Sequence, residues 1–354
     1  MINLFSYAAY IHENQEKHSI KNALFINEYE LNQIGTHTLE LLNGERLAKL
    51  HEKLAWLLQS LSEFADLQGG RLFFSDIWMK QGYCYFEAMH TLRESILAGV
   101  NSYFHVSIAG LRSTLELLLL HTYWESTKDD QTEMSEFREW VEGRVSKLPF
   151  KRLILNLKNR YNIPPNLALI ENIERNYGRL CSYAHTPVLR ESITKIKQTN
   201  LSFVDEDVLI YWLNLTIDTL TYLLYLLIVC YPISIFPVRL IRKFGFNPPV
   251  GLFFDTVNFR PLVRCVSADE LSSYKEWFFE VDSNISGLLD WYDSRPDLTL
   301  NQIKKSWNKD EKHRDEYRRL KRITSVDDTE LDLLLFLIKV KMRTIHLSFI
   351  YKEV

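Results

Sequence analysis

From Thr219 to Val238 the chain carries no charged residue, and Leu220 to Val229 is aliphatic or aromatic apart from Thr221. A run of this kind has two destinations. One is a membrane, which needs about 20 apolar residues; the other is the centre of a protein large enough to cover a helix on every side. Here the run reaches spanning length only by crossing Pro232, and Asn214 and Asp218 lie one turn apart just upstream. Asp205, Glu206 and Asp207 suit the positive end of a helix starting there. The segment reads as a helix of about 205 to 230 buried centrally in a bundle, with a membrane-anchored chain as the alternative. At 354 residues, 46% of them hydrophobic, the chain can build one large core or two domains.

The rest of the first 235 positions repeats the helical signal. Leu47, Leu50, Leu54, Leu57, Leu58 and Leu61 mark a helix of about 40 to 68. Phe86, Leu92, Ile96, Leu111, Leu115, Leu118 and Leu119 mark a helical region of about 82 to 122, broken around Gly99. Polar residues 125 to 136 read as a surface connection, followed by helices at about 134 to 160 and 166 to 185. Pro164-Pro165 separates these two and Pro187 stops the second. After Pro237, Val250 to Asp255 and Leu262 to Val266 favour strands joined by a turn with Asn258, Arg260 and Pro261. Ser267 with Glu270 three residues on is a capping box opening another helix. Residues 291 to 325 are polar and charged, and Leu331 to Ile350 looks helical. The expected fold is mainly α: a bundle at 75–236, an N-terminal helical extension at 1–74, and a smaller mixed α/β unit at 237–354.

Several chemistries are excluded by what is missing. Cys84, Cys181, Cys230 and Cys265 are scattered with no Cys-x-x-Cys pair, which argues against a zinc knuckle or redox dithiol and for reduced thiols in a cytoplasm. The first residues lack the basic flank and apolar stretch of a secretion signal. No Gly-x-x-x-x-Gly-Lys loop, Gly-x-Gly-x-x-Gly, His-Glu-x-x-His or Gly-x-Ser-x-Gly occurs. Histidines are dispersed; Glu87-x-x-His90 shares a helix face but is better read as helix surface. No cofactor and no metal are expected.

The most concrete chemistry lies in Tyr177-Gly-Arg-Leu-Cys-Ser-Tyr-Ala-His-Thr-Pro187. At about 100° per residue, Arg179 and His185 border one helix face, with Ser182 between them and Arg175 one turn earlier. Leu180, Tyr183 and Ala184 are left for packing. The negative helix end favours a protonated His185, while Arg179 opposes it. An imidazole poised in this way can act as general acid or base near neutrality. The plain alternative has His185 capping a helix and Arg179 in a surface ion pair. A guanidinium locked in a carboxylate would remove the phosphate-binding role. Arg46-Leu-Ala-Lys-Leu-His51 meets the same loose spacing in an earlier helix.

Arg179-Leu-Cys-Ser-Tyr-Ala-His185 resembles the Arg-x(4–6)-His signature of the HEPN superfamily, helical proteins of prokaryotic defence and toxin–antitoxin systems. The wider string Tyr177-x-Arg179-Leu-x-Ser182-x-x-His185 and the run Arg112-Ser-Thr-Leu-Glu116 are similar to family patterns, over roughly residues 75 to 235. The resemblance implies a metal-independent endoribonuclease with His185 as acid or base and Arg179 on the phosphate. It also implies a homodimer, since the chain offers one convincing motif, and a regulatory partner protein or nucleic-acid trigger. Silent members that only dimerise or hold partners exist as well. Arg175, Asn176, Ser182, Glu116 and Arg112 are auxiliary candidates. Arg112 and Glu116 read either as an i,i+4 ion pair at the core edge or as groups that orient Arg179 or His185.

Charge is distributed to match. Between Arg144 and Arg190, nine basic residues face two acidic ones (Glu171 and Glu174), a local +7 in a chain of net −3. Lys147, Lys151, Arg152, Lys158, Arg160 and Arg190 are therefore candidate RNA contacts, although basic runs are often solvated helix faces. Lys304 to Arg322 mixes both signs, as an exposed helix laced with ion pairs does.

Overall fold

The computed structural model describes residues 36–38, 40–64, 78–126, 131–144, 148–184, 206–236, 240–245, 260–309 and 312. Among them the regular structure is helical, with no strand. After short helical pieces at 36–38 and 40–43, the α-helices in chain order are α1 (Glu45–Glu63), α2 (Trp78–Val100), α3 (Phe104–Ser126), α4 (Gln131–Val141), α5 (Phe150–Tyr161), α6 (Leu169–Ala184) and α7 (Glu206–Cys230), with 3-10 turns at Pro165–Leu167 and Pro232–Ile235. They are followed by α8 (Leu240–Phe244), α9 (Arg260–Cys265), α10 (Ala268–Val281), α11 (Ser283–Ser294) and a helical stretch at 300–309.

Two helices organise the core. α3 packs against α2, α5, α6 and α7, and α7 packs against α1, α3 and α6. α7 contains the start of the uncharged run: its most apolar 18-residue window has a mean hydropathy of 1.7, and 72% of that window is buried inside the protein. The leucine stripe of α1 behaves as its spacing implies, burying Leu47, Leu54, Leu57 and Leu61. Arg46 of α1, half of the second Arg-His match, is committed to the start of α7, where it binds Glu206 at 2.8 Å and Asp207 at 3.0 Å.

Close approach of α2, α3 and α7 depends on small residues. A Cβ on Gly99 would lie 2.1 Å from the buried Trp212 ring, whose indole N–H donates to the Ser107 hydroxyl at 2.7 Å. Ser95 in turn donates to the Ser107 carbonyl. The region is divided around Gly99 as expected: α2 ends at Val100 and the break falls at Asn101–Tyr103, with Ser102 left-handed at φ 65°, while Gly99 itself stays helical. The single helix expected at about 134 to 160 is also divided. α4 ends with Gly143 at φ 71°, and Pro149 caps α5 in extended conformation, where its missing N–H costs nothing.

The expected hairpin does not form. Residues 262 to 265 lie in α9, because Pro261 sits in the first turn, where its fixed φ suits a helix. Leu262 and Val266, four apart, are then buried together, and α9 lies on α1. Val250 to Asp255 and Leu331 to Ile350 lie outside the described residues. The Ser267–Glu270 capping box is present, with both reciprocal bonds made. Tyr274, Trp277 and Phe278 of α10 join the same apolar core as α3 and α7, so burial continues across position 237.

Candidate functional site

α6 is amphipathic, and its buried face explains where its polar residues go. Ile173, Asn176 and Leu180 point into the bundle, leaving Arg175 and Gly178 exposed and Arg179 and Ser182 half-exposed. Arg179 reaches across to α7, and one of its N–H groups donates to the Asp218 carboxylate at 2.9 Å. The pair is not sealed: the two side chains keep 38% and 42% of their surface in water. Desolvation works against the Arg179 charge, but hydrogen bonds to Asp218 and the Tyr211 hydroxyl outweigh it and hold its pKa above the ordinary arginine value. A guanidinium has five donors in a fixed fork, so this pairing aims the group without exhausting it.

Tyr222 completes this edge. Burial first, then Asp218, raise its pKa, while Arg175 and Arg179 pull it down, which places all three charged groups within its electrostatic reach. Tyr183 packs on Tyr211 with ring centroids 5.7 Å apart. Arg175 also donates to Asn172 at 3.2 Å. The seam between α6 and α7 is thus lined by Arg175 and Arg179 on one side and by Tyr211, Asp218 and Tyr222 on the other.

Other candidates are placed elsewhere. Tyr177 and Arg179 are two residues apart, about 200° around the helix, so Tyr177 faces away from the seam. Its hydroxyl donates to Glu116 at 2.7 Å, Arg112 reaches the same carboxylate at 3.2 Å, and the Tyr177 ring stacks on Phe150 at 3.7 Å. Burial and this carboxylate push the Tyr177 phenol well up. Arg112 and Glu116 thus form an i,i+4 ion pair, with Tyr177 as third member. Asn176 is buried and donates to Thr219 at 2.9 Å, a packing role instead of a surface contact. Ser182 donates back to the Arg179 carbonyl at 2.9 Å.

The basic candidates divide as well. Arg152 pairs with Glu136 at 3.0 Å and donates to the Tyr123 hydroxyl, and Lys158 lies 3.7 Å from Glu174. Lys151 and Arg160 are exposed on α5. His185, Lys147 and Arg190 lie outside the described residues.

Among the described residues no cluster of three or more His, Cys, Asp or Glu could hold a metal ion. Burial drives the Cys84 thiol well up and that of Cys265 to about 11, which leaves neither as a thiolate nucleophile. Asp218, Tyr211 and Tyr222 were not singled out in the sequence as site residues. The signal was available: positions 211, 218 and 222 share one face of a helix whose other faces are apolar. The chain matches no family model, no curated protein and no solved structure.

Proposed function

We propose that this chain is a metal-independent endoribonuclease of the HEPN type, acting as a homodimer in bacterial antiphage defence or a toxin–antitoxin module. One observation carries the reading. Arg179 stands half-exposed at the α6–α7 edge, its guanidinium aimed by Asp218, in the same sequence motif as His185. His185 takes the proton from a ribose 2′-hydroxyl; the 2′-oxygen bonds to the adjacent phosphorus while the bond from phosphorus to the 5′-oxygen breaks. The imidazolium so formed passes a proton to the departing 5′-oxygen, and Arg179 holds the charge that gathers on the phosphate oxygens. The products are a 2′,3′-cyclic phosphate and a 5′-hydroxyl. Asp218 is a positioning residue acting through Arg179. A cytoplasmic setting and a controlling partner or nucleic-acid trigger belong to the same reading.

A second reading draws on the same ion pair. Asp218 satisfies Arg179 without any substrate, as it would in a catalytically silent module that dimerises or holds a partner. Incubating RNA with the protein in chelator separates the two. Cleavage that disappears in Arg179→Ala and in His185→Ala, and at a 2′-deoxy cut position, is the expected result. Cleavage that survives both substitutions eliminates the assignment, and no cleavage by the wild type under activating conditions favours the silent module.

A further inference from the structure

We infer that Tyr211 is a further catalytic residue beside Arg179, its hydroxyl donating a hydrogen bond to the non-bridging phosphate oxygen on which negative charge develops. The inference rests on the ribonuclease reading and adds a second donor to the one that reading already uses.

The direction of one hydrogen bond carries the argument. Arg179 bonds the Tyr211 hydroxyl as well as the Asp218 carboxylate. A guanidinium has donors and no acceptor, so in that contact the tyrosine oxygen must accept. The phenolic proton is left over, and among the described residues no acceptor takes it. Tyr211 is half-buried, so water or a ligand reaches the hydroxyl. A hydroxyl that accepts from a cation is polarised and donates more strongly in turn. Asp218 and Tyr211 occupy part of the Arg179 fork and leave other N–H groups beside the Tyr211 O–H. Neighbouring donors of this kind are what a developing oxyanion requires.

The fold sets this donor before any substrate arrives. Tyr211 and Asp218 are seven residues apart, about two turns along one face of α7, so a guanidinium bonded to both lies between them. The Tyr183 ring, one turn after Arg179 on α6, packs on the Tyr211 ring with centroids 5.7 Å apart. A donor fixed in this way costs no reorganisation at the moment of reaction. Net charge does not supply the same help: Glu171, one turn before Arg175, and Asp218 offset Arg175 and Arg179. This edge offers an anion aimed donors in place of a positive field. No bond in the reaction changes. The 2′-oxygen still bonds to phosphorus as the bond to the 5′-oxygen breaks, and both proton transfers stay with His185. Tyr211 keeps its proton throughout, and its hydrogen bond strengthens as the phosphate oxygen gains charge.

The test uses full-length wild type and Tyr211→Phe, which keeps the ring and removes only the hydroxyl, with thermal melts confirming folding. Single-turnover cleavage in chelator gives the rate. Anisotropy with a fluorescent 2′-O-methyl oligoribonucleotide, which cannot supply the attacking hydroxyl, gives the affinity. Tyr211→Phe is expected to slow cleavage by about tenfold to a hundredfold and to leave affinity near wild type. The loss is smaller than the roughly hundredfold to thousandfold typical of an oxyanion donor in a sealed site, because water reaches this edge. A phosphorothioate at the cut position then tests the contact itself, since sulfur is a weak acceptor. One of the two diastereomers should slow the wild type more than it slows Tyr211→Phe, a difference that a packing role would not produce. A folded Tyr211→Phe that cuts at the wild-type rate overturns the inference and leaves the ribonuclease reading standing. So does slow cutting with the same sulfur effects as wild type, which makes the hydroxyl structural. A loss of affinity as large as the loss of rate also overturns it, by assigning Tyr211 to ground-state binding. No cleavage by the wild type removes both the inference and the reading.

Discussion

Replacing Gly99 by Ala tests the packing that sets α2 against α7. The new methyl would lie 2.1 Å and 2.2 Å from two carbons of the Trp212 ring and 2.6 Å from its nitrogen, where ordinary contact begins at about 3.4 Å. The ring has to move by about an ångström, yet it is 1% exposed and its N–H is engaged with Ser107 at 2.7 Å. Overpacking of a close-packed core costs about 1–3 kcal/mol, and disturbing that hydrogen bond adds about 1 kcal/mol. Better helix propensity returns at most about 1 kcal/mol. The net loss is about 2 kcal/mol, or roughly 3 °C in Tm for a chain of 354 residues. Gly178→Ala is the internal control: nothing stands within 4 Å of its Cβ position, and the same propensity gain should stabilise by about 0.5–1 kcal/mol. Urea unfolding followed by tryptophan fluorescence reads both. Because Trp212 and Gly99 share one contact, Trp212→Phe should shrink the Gly99→Ala penalty by non-additivity. A Gly99→Ala protein as stable as wild type refutes the close approach.

Asp218→Asn should lower kcat/KM for RNA by roughly tenfold to a hundredfold through misaimed Arg179, and should add little in an Arg179→Ala background when single-turnover rates are compared. Burial raises the Glu270 carboxyl, but the Ser267 hydroxyl, the Ser267 amide and Tyr225 outweigh it and leave the group below its ordinary value. Its stabilising contribution is then full above the unfolded carboxylate range and is lost as pH falls through the folded pKa. The stability gap between wild type and Glu270→Gln should accordingly narrow between pH 6 and pH 3, as urea midpoints at each pH will show. Lys151→Ala should reduce the salt dependence of RNA binding by about one counterion, whereas Arg152→Ala, already committed to Glu136, should change it less. Thr219→Val leaves the buried Asn176 amide without its acceptor and should cost about 1–3 kcal/mol in chemical denaturation.

Local patterns survived the passage from sequence to structure where the physics is local. α7 was legible because composition alone demands burial of an uncharged apolar run, and α1 because its leucines recur at three and four. The Ser267–Glu270 box needs only four consecutive residues, and both of its bonds are made. What failed depended on distant partners or on weighing one proline. The break around Gly99 is there, but the close fit of Gly99 against Trp212 is not legible, because the two are far apart in the chain. Pro261 reads as a turn residue until Leu262 and Val266 are seen to bury on α1, which makes a short helix the better use of the same residues. At the site, Arg179 was legible as a residue type in a motif. Its partner was not, since Asp218 had served only as a polar mark against a membrane span.

The Arg179–Asp218 contact carries opposite meanings in the two functional readings, and energetics explains why both can start from one geometry. An ion pair this exposed is worth about 0–1 kcal/mol, so it orients the guanidinium at small cost and opposes a second anion only weakly. A phosphate that takes a forked pair of N–H groups forms hydrogen bonds of roughly twice neutral strength, enough to share the guanidinium with Asp218 or to displace it. The carboxylate can therefore aim Arg179 in the free protein and yield in the complex. A buried pair could not do this, because separating it would strand an unsolvated charge at a cost of several kcal/mol. It is the partial exposure of both side chains, more than their proximity, that keeps phosphate chemistry open at this edge.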